Sequence, residues 1–407
     1  MLEPEQFYSE LGSTFKPGVI TRVVLAADRL KREGKKIIGL TGGLYDEPSL
    51  PCREVKEIFA EADESDWRMM LQYGGTRGTQ GLREELSEFM SGHDIEADPD
   101  QEVIVTTGSQ EALDLTTRVF LDEGDVIIVG APTYLSALSA FEQVNPDMRS
   151  CELDEEGMNP ESLEELLVEI GNEGKTLKML YTIPSFQNPT TTLMGDERRK
   201  RILELAEEYD FLILEDNPYG YISFDSSMPT PIAGFDVEGR VLYTSTFSKI
   251  VSPGMRIGWI RGHKDFIEKM TEAKSRISIC NDVISQYAAT QLFRRGDVKR
   301  QIEKMGRVYR KKRDVMLEAM QVSFPDEAEW IEPQGGLFIW VKLPDKLNTT
   351  ELLMDAMQNG VAYIPGSNFF AKPVHNYIRL NFSHPSTGDI VEGIGILGDL
   401  FKKKLQE

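Results

Sequence analysis

The chain has 407 residues, 40% apolar and 28% charged, which is the profile of an ordinary globular enzyme long enough for two domains. With 45 basic against 67 acidic residues, the formal net charge is −22. Such a chain repels nucleic acid and anionic membrane surfaces, so a phosphate group has to be held by a local pocket of donors. Cys52, Cys151 and Cys280 are odd in number and far apart, and the four histidines are scattered without ligand spacing. No disulfide framework and no metal site are expected, and the cysteine usage suits a reducing cytosol.

In chain order, MLEPEQFYSE lacks the basic and apolar regions of a secretory signal. GGTRGTQG (74–81) is glycine-rich, but no Lys-Ser/Thr follows it and no strand precedes it. It reads as a flexible loop entering the helix LREELSEFM, not as a nucleotide-binding turn. EVIVT (102–106) is a predicted strand, followed by a helix from Ser109, and DVIIV (125–129) is a second strand. The uncharged run from Val126 is broken by Gly130 and Pro132 and is no membrane span. A helix at 161–170, a strand at 178–183, a helix at 196–210 capped by Asp196, and strands at 211–215, 240–245 and 255–260 complete an alternating pattern. Continuous Val/Ile/Leu runs between helices predict a mostly parallel sheet with helices on both faces.

Residues 283–322 form a long amphipathic stretch containing the basic run KRQIEKMGRVYRKKRD. Ile302, Met305, Val308, Tyr309, Met316 and Leu317 recur at helical spacing, so its charges are expected on a solvated helix face rather than on a nucleic-acid surface. The chain then alternates a hairpin (WIEPQGGLFIWVKLP), a helix (TTELLMDAMQNG) and a strand (NYIRLNFS). The fold class is therefore α/β with a smaller α+β domain. The expected division is a large domain over 46–300 and a small domain from 1–45 and 301–407.

Three segments carry chemistry. In TTGSQEALDL a strand ends, Gly108 turns the chain and a helix begins near Ser109 and Gln110, which is either an anion site or a simple serine cap. In FLILEDNPYGYI an apolar strand runs into Asp216, at the strand end where α/β sheets bind ligands; its carboxylate is either a solvated cap or the partner of a cation. In STFSKIVSPGMRIGW, Lys249 follows Thr246 and Ser248, and Arg256 comes soon after. A desolvated amine has a lowered pKa and attacks aldehydes, while hydroxyls and a guanidinium fork chelate phosphate. An amine, a strand-end carboxylate and a phosphate cup are the parts that hold pyridoxal phosphate.

QYGGTRG, TTGSQEALDL, APTY, IPSFQNPT, EDNPYG, STFSKIVSPGMRIGW, EPQGGLFIW and IRLNF occur in the order found in one family. The chain resembles the fold-type I pyridoxal-phosphate enzymes of the class I/II aminotransferase family, in the branch of 2-aminoadipate, kynurenine and aromatic amino-acid aminotransferases. The resemblance implies that Lys249 holds the cofactor aldehyde and shuttles a proton. Asp216 would pair with the ring nitrogen, Asn188 and Tyr219 with the ring oxygen, and Tyr134 would stack on the ring. Ser109, Gln110, Thr246, Ser248 and Arg256 would hold the phosphate, with Tyr73 reaching the phosphate of a neighbouring subunit in a homodimer. Arg379 and Gly43 would bind the substrate carboxylate, and Arg22 is similar to an N-terminal arginine that contacts substrate side chains. The chain departs from the family at Thr190 and Thr191, where a small residue and a glycine are usual, and at Thr246, where serine is usual.

The implied activity is cytoplasmic, ping-pong transfer of an amino group from an aromatic, kynurenine-like or 2-aminoadipate-like donor to 2-oxoglutarate. A lyase or synthase on the same fold shares these residues. A non-enzymatic regulator is the more distant alternative, because the resemblance starts near residue 40, too early for a DNA-binding head.

Overall fold

The computed structural model describes residues 2–225, 228–370 and 374–407. A short strand β1 (Ile38–Gly39) precedes the main sheet. That sheet is built from β2 (Val103–Thr107), β3 (Val126–Ala131), β4 (Asp147–Asp154), β5 (Gly157–Met158), β6 (Leu177–Thr182), β7 (Leu212–Asp216), β8 (Val241–Thr246) and β9 (Ile257–Arg261). Their spatial order is β2-β9-β8-β7-β6-β3-β4-β5. Neighbours from β8 through β4 run parallel, whereas β9 is antiparallel to both β2 and β8.

Strand residues alternate between two cores. Val103, Val105, Ile213 and Trp259 pack into one, and Ile104, Leu214, Leu242 and Ile260 into the other. This period of two, buried on both faces, is why the strands read as continuous apolar runs.

The small sheet is antiparallel. It contains β10 (Glu329–Trp330), β11 (Phe338–Lys342), β13 (Ile364–Pro365) and β14 (Tyr377–Asn381), in the order β10-β11-β14-β13. A separate strand β12 (Val361–Ala362) pairs in parallel with β1. The helix Asp297–Ser323 runs unbroken through residue 300 and packs mainly on the C-terminal helix Thr387–Gln406.

Three expectations need correction. The stretch 283–322 is two helices, Val283–Arg294 and Asp297–Ser323, because Gly296 adopts a left-handed φ of 70° between them. Met305, Tyr309 and Met316 are buried as expected, but so are two of the charges, Lys312 and Arg313. Lys312 pairs with Asp46 at 2.6 Å, and Arg313 lies over the Phe224 ring. Asp196 is not a cap; Gly195 holds that position, and the Asp196 carboxylate instead accepts from the Thr230 N–H.

Candidate active site

Strands β2, β3, β6, β7 and β8 all end at one edge of the large sheet, and the reversed β9 begins there. The segments after those ends, together with Arg256 just before β9, therefore converge. They enclose a cavity of about 180 Å³. All the residues singled out from the sequence line it except Tyr73 and Arg22.

At one end the helix Gly108–Phe120 points its first turn into the cavity beside Ser109 and Gln110. Thr107 occupies the cap position, so Ser109 is not the cap and its hydroxyl is not spent on that role. Gly108 has φ 69°, and a Cβ there would lie 2.5 Å from Arg256 Nη2. Only glycine allows that approach. Arg256 Nη2 donates to the Thr107 carbonyl at 3.0 Å and Nη1 to Ser248 Oγ at 3.3 Å. The Thr246 hydroxyl lies 3.0 Å from Ser248 Oγ and from the Ile257 carbonyl, and it accepts from the Ser248 N–H.

Deeper in, Asp216 is buried at the end of β7. Its Oδ2 accepts from the Tyr181 hydroxyl at 2.8 Å, while Oδ1 is buried with no partner among the described residues. Burial raises its pKa to about 7, opposed by the Tyr181 hydrogen bond. Lys249 Nζ donates to the Gly43 carbonyl at 2.8 Å. Burial, then the charges of Arg379 and Arg256, lower its pKa to about 8.

Arg379 sits in the middle of β14, buried. It donates from Nη1 to Asn188 Oδ1 and from Nη2 to the Thr41 carbonyl, each at 2.8 Å. Its guanidinium lies 4.1 Å from the Phe338 ring centroid, and burial lowers its pKa to about 10. Asn188 Nδ2 donates to the Tyr219 hydroxyl at 3.3 Å. The wall thus carries three cations around one carboxylate, in a chain of net charge −22. That local inversion attracts doubly anionic phosphate and carboxylates.

Arg22 lies in an adjoining pocket with Ile20, Leu135 and Glu142, and Ile20 lines both spaces. Tyr73 is 79% exposed and stands outside the cavity. Sequence reasoning missed Tyr181, Phe338 and Ile20. Tyr181 meets Asp216 only because β6 pairs with β7, an adjacency that no local pattern gives.

The Aminotransferase class I and II family model matches residues 35–396. The chain belongs to that family. Aromatic-amino-acid aminotransferase 1 of Thermococcus litoralis is 41% identical over 408 residues, covering 100% of this chain and 96% of the relative. The crystal structure of the Pyrococcus horikoshii kynurenine aminotransferase, in complex with PMP and kynurenine, superposes with a TM-score of 0.94 at 40% identity, over 99% and 98% of the two chains. An α-aminoadipate aminotransferase from Thermus thermophilus, complexed with N-(5′-phosphopyridoxyl)-L-leucine, gives 0.90 at 31% identity, over 100% of both chains. The fold is that of the fold-type I aminotransferases, and this aminotransferase uses pyridoxal 5′-phosphate.

The residues present fit that cofactor. The unpartnered Asp216 Oδ1 is suited to a protonated ring nitrogen. The turn at Gly108, where a Cβ is excluded, is suited to a phosphate drawn against backbone N–H groups and Arg256. Among the described residues, no helix is long and apolar enough to cross a membrane.

Proposed function

We propose that this aminotransferase moves the amino group of an aromatic, kynurenine-like or 2-aminoadipate-like amino acid to 2-oxoglutarate by a ping-pong route. The carrying observation is the convergence of Lys249, Asp216 and Arg379 on one cavity from β8, β7 and β14. The substrate classes rest on the names of the similar proteins.

Bound pyridoxal phosphate supplies an aldehyde that accepts the amino group and a ring that takes up electrons as the α-C–H bond breaks. Ser109, the Gln110 N–H, Thr246, Ser248 and Arg256 hold its phosphate. Asp216 keeps the ring nitrogen protonated, Asn188 and Tyr219 bind the ring oxygen, and Tyr134 covers the ring face. Lys249 would be the base that takes the proton from the substrate α-carbon and holds it for return. Arg379, with the backbone at Gly43, binds the α-carboxylate as a two-bond fork. Arg22, in the adjoining pocket, is proposed to meet the substrate side chain.

One arginine for both carboxylates makes the two substrates take turns, which suits a ping-pong order in which the cofactor keeps the amino group after the first product leaves. Tyr73 is proposed to complete the partner's phosphate site in a homodimer. Leu71, two residues before it in the chain, is 73% exposed, and Ile277 and Ile279 are also at least half exposed; exposed apolar side chains of this kind favour a partner. The three unpaired cysteines suit a cytoplasmic enzyme.

The test is to give the purified enzyme an amino acid alone. One equivalent of oxo acid, then arrest until 2-oxoglutarate is added, is expected. Continued turnover without an oxo acid marks a lyase instead.

A further inference from the structure

A second buried lysine plays no part in the chemistry above. Lys274, near the end of the helix Lys264–Ser275, has no exposed surface. Unlike Lys312, which meets Asp46, Lys274 contacts no carboxylate among the described residues. Its three donors are matched by three neutral acceptors. These are the Thr76 carbonyl at 2.8 Å, the Val105 carbonyl at 2.5 Å and Asn281 Oδ1. Burying an unpaired ammonium is costly, and an apolar side chain of similar length would avoid the cost. The three acceptors belong to three separate segments: the glycine-rich loop, strand β2 and the turn after residue 276.

From Asn281 the hydrogen bonds run on to the phosphate end of the cavity. Asn281 Nδ2 donates to Thr107 Oγ1 at 2.6 Å and to Glu111 Oε2 at 3.2 Å. Glu111 Oε2 also accepts from the Thr107 N–H. The Thr107 carbonyl is the acceptor that orients Arg256. Lys274 therefore stands behind the turn that bears Gly108 and Ser109, and it also holds the loop that begins at Tyr73.

We propose that Lys274, acting through Asn281, is a positioning residue that fixes the Thr107–Ser109 turn and Arg256 for the cofactor phosphate. The inference rests on the reading that Arg256 and Ser109 face that phosphate.

The full chain, stripped of cofactor, is titrated with pyridoxal 5′-phosphate and with pyridoxal, which lacks the phosphate. Lys274→Met is expected to weaken pyridoxal 5′-phosphate by about tenfold, as loss of a partner that orients a binding group does, and to leave pyridoxal unchanged. Equal weakening of both, or of neither, overturns the role. If Lys274→Met does not fold, Asn281→Ala decides. It keeps the lysine and cuts its link to Thr107, so the same phosphate-selective loss supports the proposal and its absence overturns it. Arg256→Ala separates the two layers. A selective loss there without one in the Lys274 and Asn281 variants removes the positioning role alone. No selectivity in Arg256→Ala removes the phosphate placement and the inference together.

Discussion

Asn188 Oδ1 accepts a 2.8 Å hydrogen bond from Arg379 Nη1, and this amide joins the small four-stranded sheet to the large one at the active site. Arg379 comes from β14 of the small sheet and Asn188 from the loop after β6 of the large one. The amide leaves the guanidinium its full charge, so the arginine is oriented without being neutralised. Asn188→Ala is expected to raise KM for amino and oxo acids roughly tenfold, the size of a hydrogen bond to a charged group. Asn188→Asp should raise both further, because its carboxylate competes with the substrate for Arg379. Steady-state KM values for both substrates check this; an Asp variant no worse than Ala would show that the pair is not made in the working enzyme. Arg379→Ala should likewise raise both KM values, and an unchanged KM would take it out of the site.

Lys249 is held near pKa 8 by burial first and by Arg379 and Arg256 second. At about pH 7.5 roughly a quarter of such an amine is neutral, against about one in a thousand for an ordinary lysine. Capture of pyridoxal phosphate by the cofactor-free enzyme should therefore speed up with pH through about 8 and then level off. A rate still climbing at pH 10 would mean an ordinary lysine. Lys249→Ala should abolish transamination while the cofactor still binds through its phosphate, and borohydride should trap the cofactor of the parent enzyme on Lys249.

Asp216 has the opposite linkage. Its folded pKa, raised to about 7, lies above the unfolded carboxylate value near 3.9. In the cofactor-free protein its contribution is fully favourable below about pH 4 and is lost as pH rises through about 7, on the order of a few kcal/mol. Asp216→Asn should therefore raise the cofactor-free Tm at pH 8 relative to the parent and not at pH 4. The same variant should lower kcat by at least about 100-fold with cofactor bound, because a preorganised charge at the ring nitrogen is gone. A gain in Tm at both pH values, or kcat within a few fold of the parent, would contradict this placement.

Much of this was legible because strand ends carry local signals. Apolar runs closing on Asp216, on Thr246 to Lys249 and on Gly108 showed the β7, β8 and β2 edges directly, and the ordered motifs supplied Arg379. What escaped depends on which strands are neighbours. Tyr181 reads as one apolar strand residue among others until β6 lies against β7. Lys312 reads as a solvated helix charge and nothing local marks Lys274, because helical spacing cannot reveal a carbonyl or carboxylate brought in from 198 or 266 residues away in the chain. The break at Gly296 was hidden because polar and apolar spacing continues across it.

Thr191 stands where the family has glycine, and it adopts φ 66°, the left-handed conformation that glycine tolerates and a β-branched residue resists. The departure in sequence is thus a backbone position kept with the wrong side chain. What holds it is Gln187. Its carbonyl accepts from the Thr191 N–H at 2.6 Å, and its Oε1 accepts from the Thr190 N–H and hydroxyl, each at 2.8 Å. Its Nε2 reaches the Pro132 carbonyl at 2.7 Å, tying the Asn188 loop to the one that carries Tyr134. Thr191→Gly relieves about 1–3 kcal/mol of backbone strain and loses a buried side chain plus about 0.5–1 kcal/mol of chain entropy. The net change should stay within about 1 kcal/mol. Thr190→Val keeps the backbone but removes a buried donor from Gln187, and should cost about 1–3 kcal/mol. Urea unfolding of the two variants compares them directly. If Thr191→Gly is as destabilising as Thr190→Val, the loop is held by the Thr191 side chain rather than by Gln187 acting against strain.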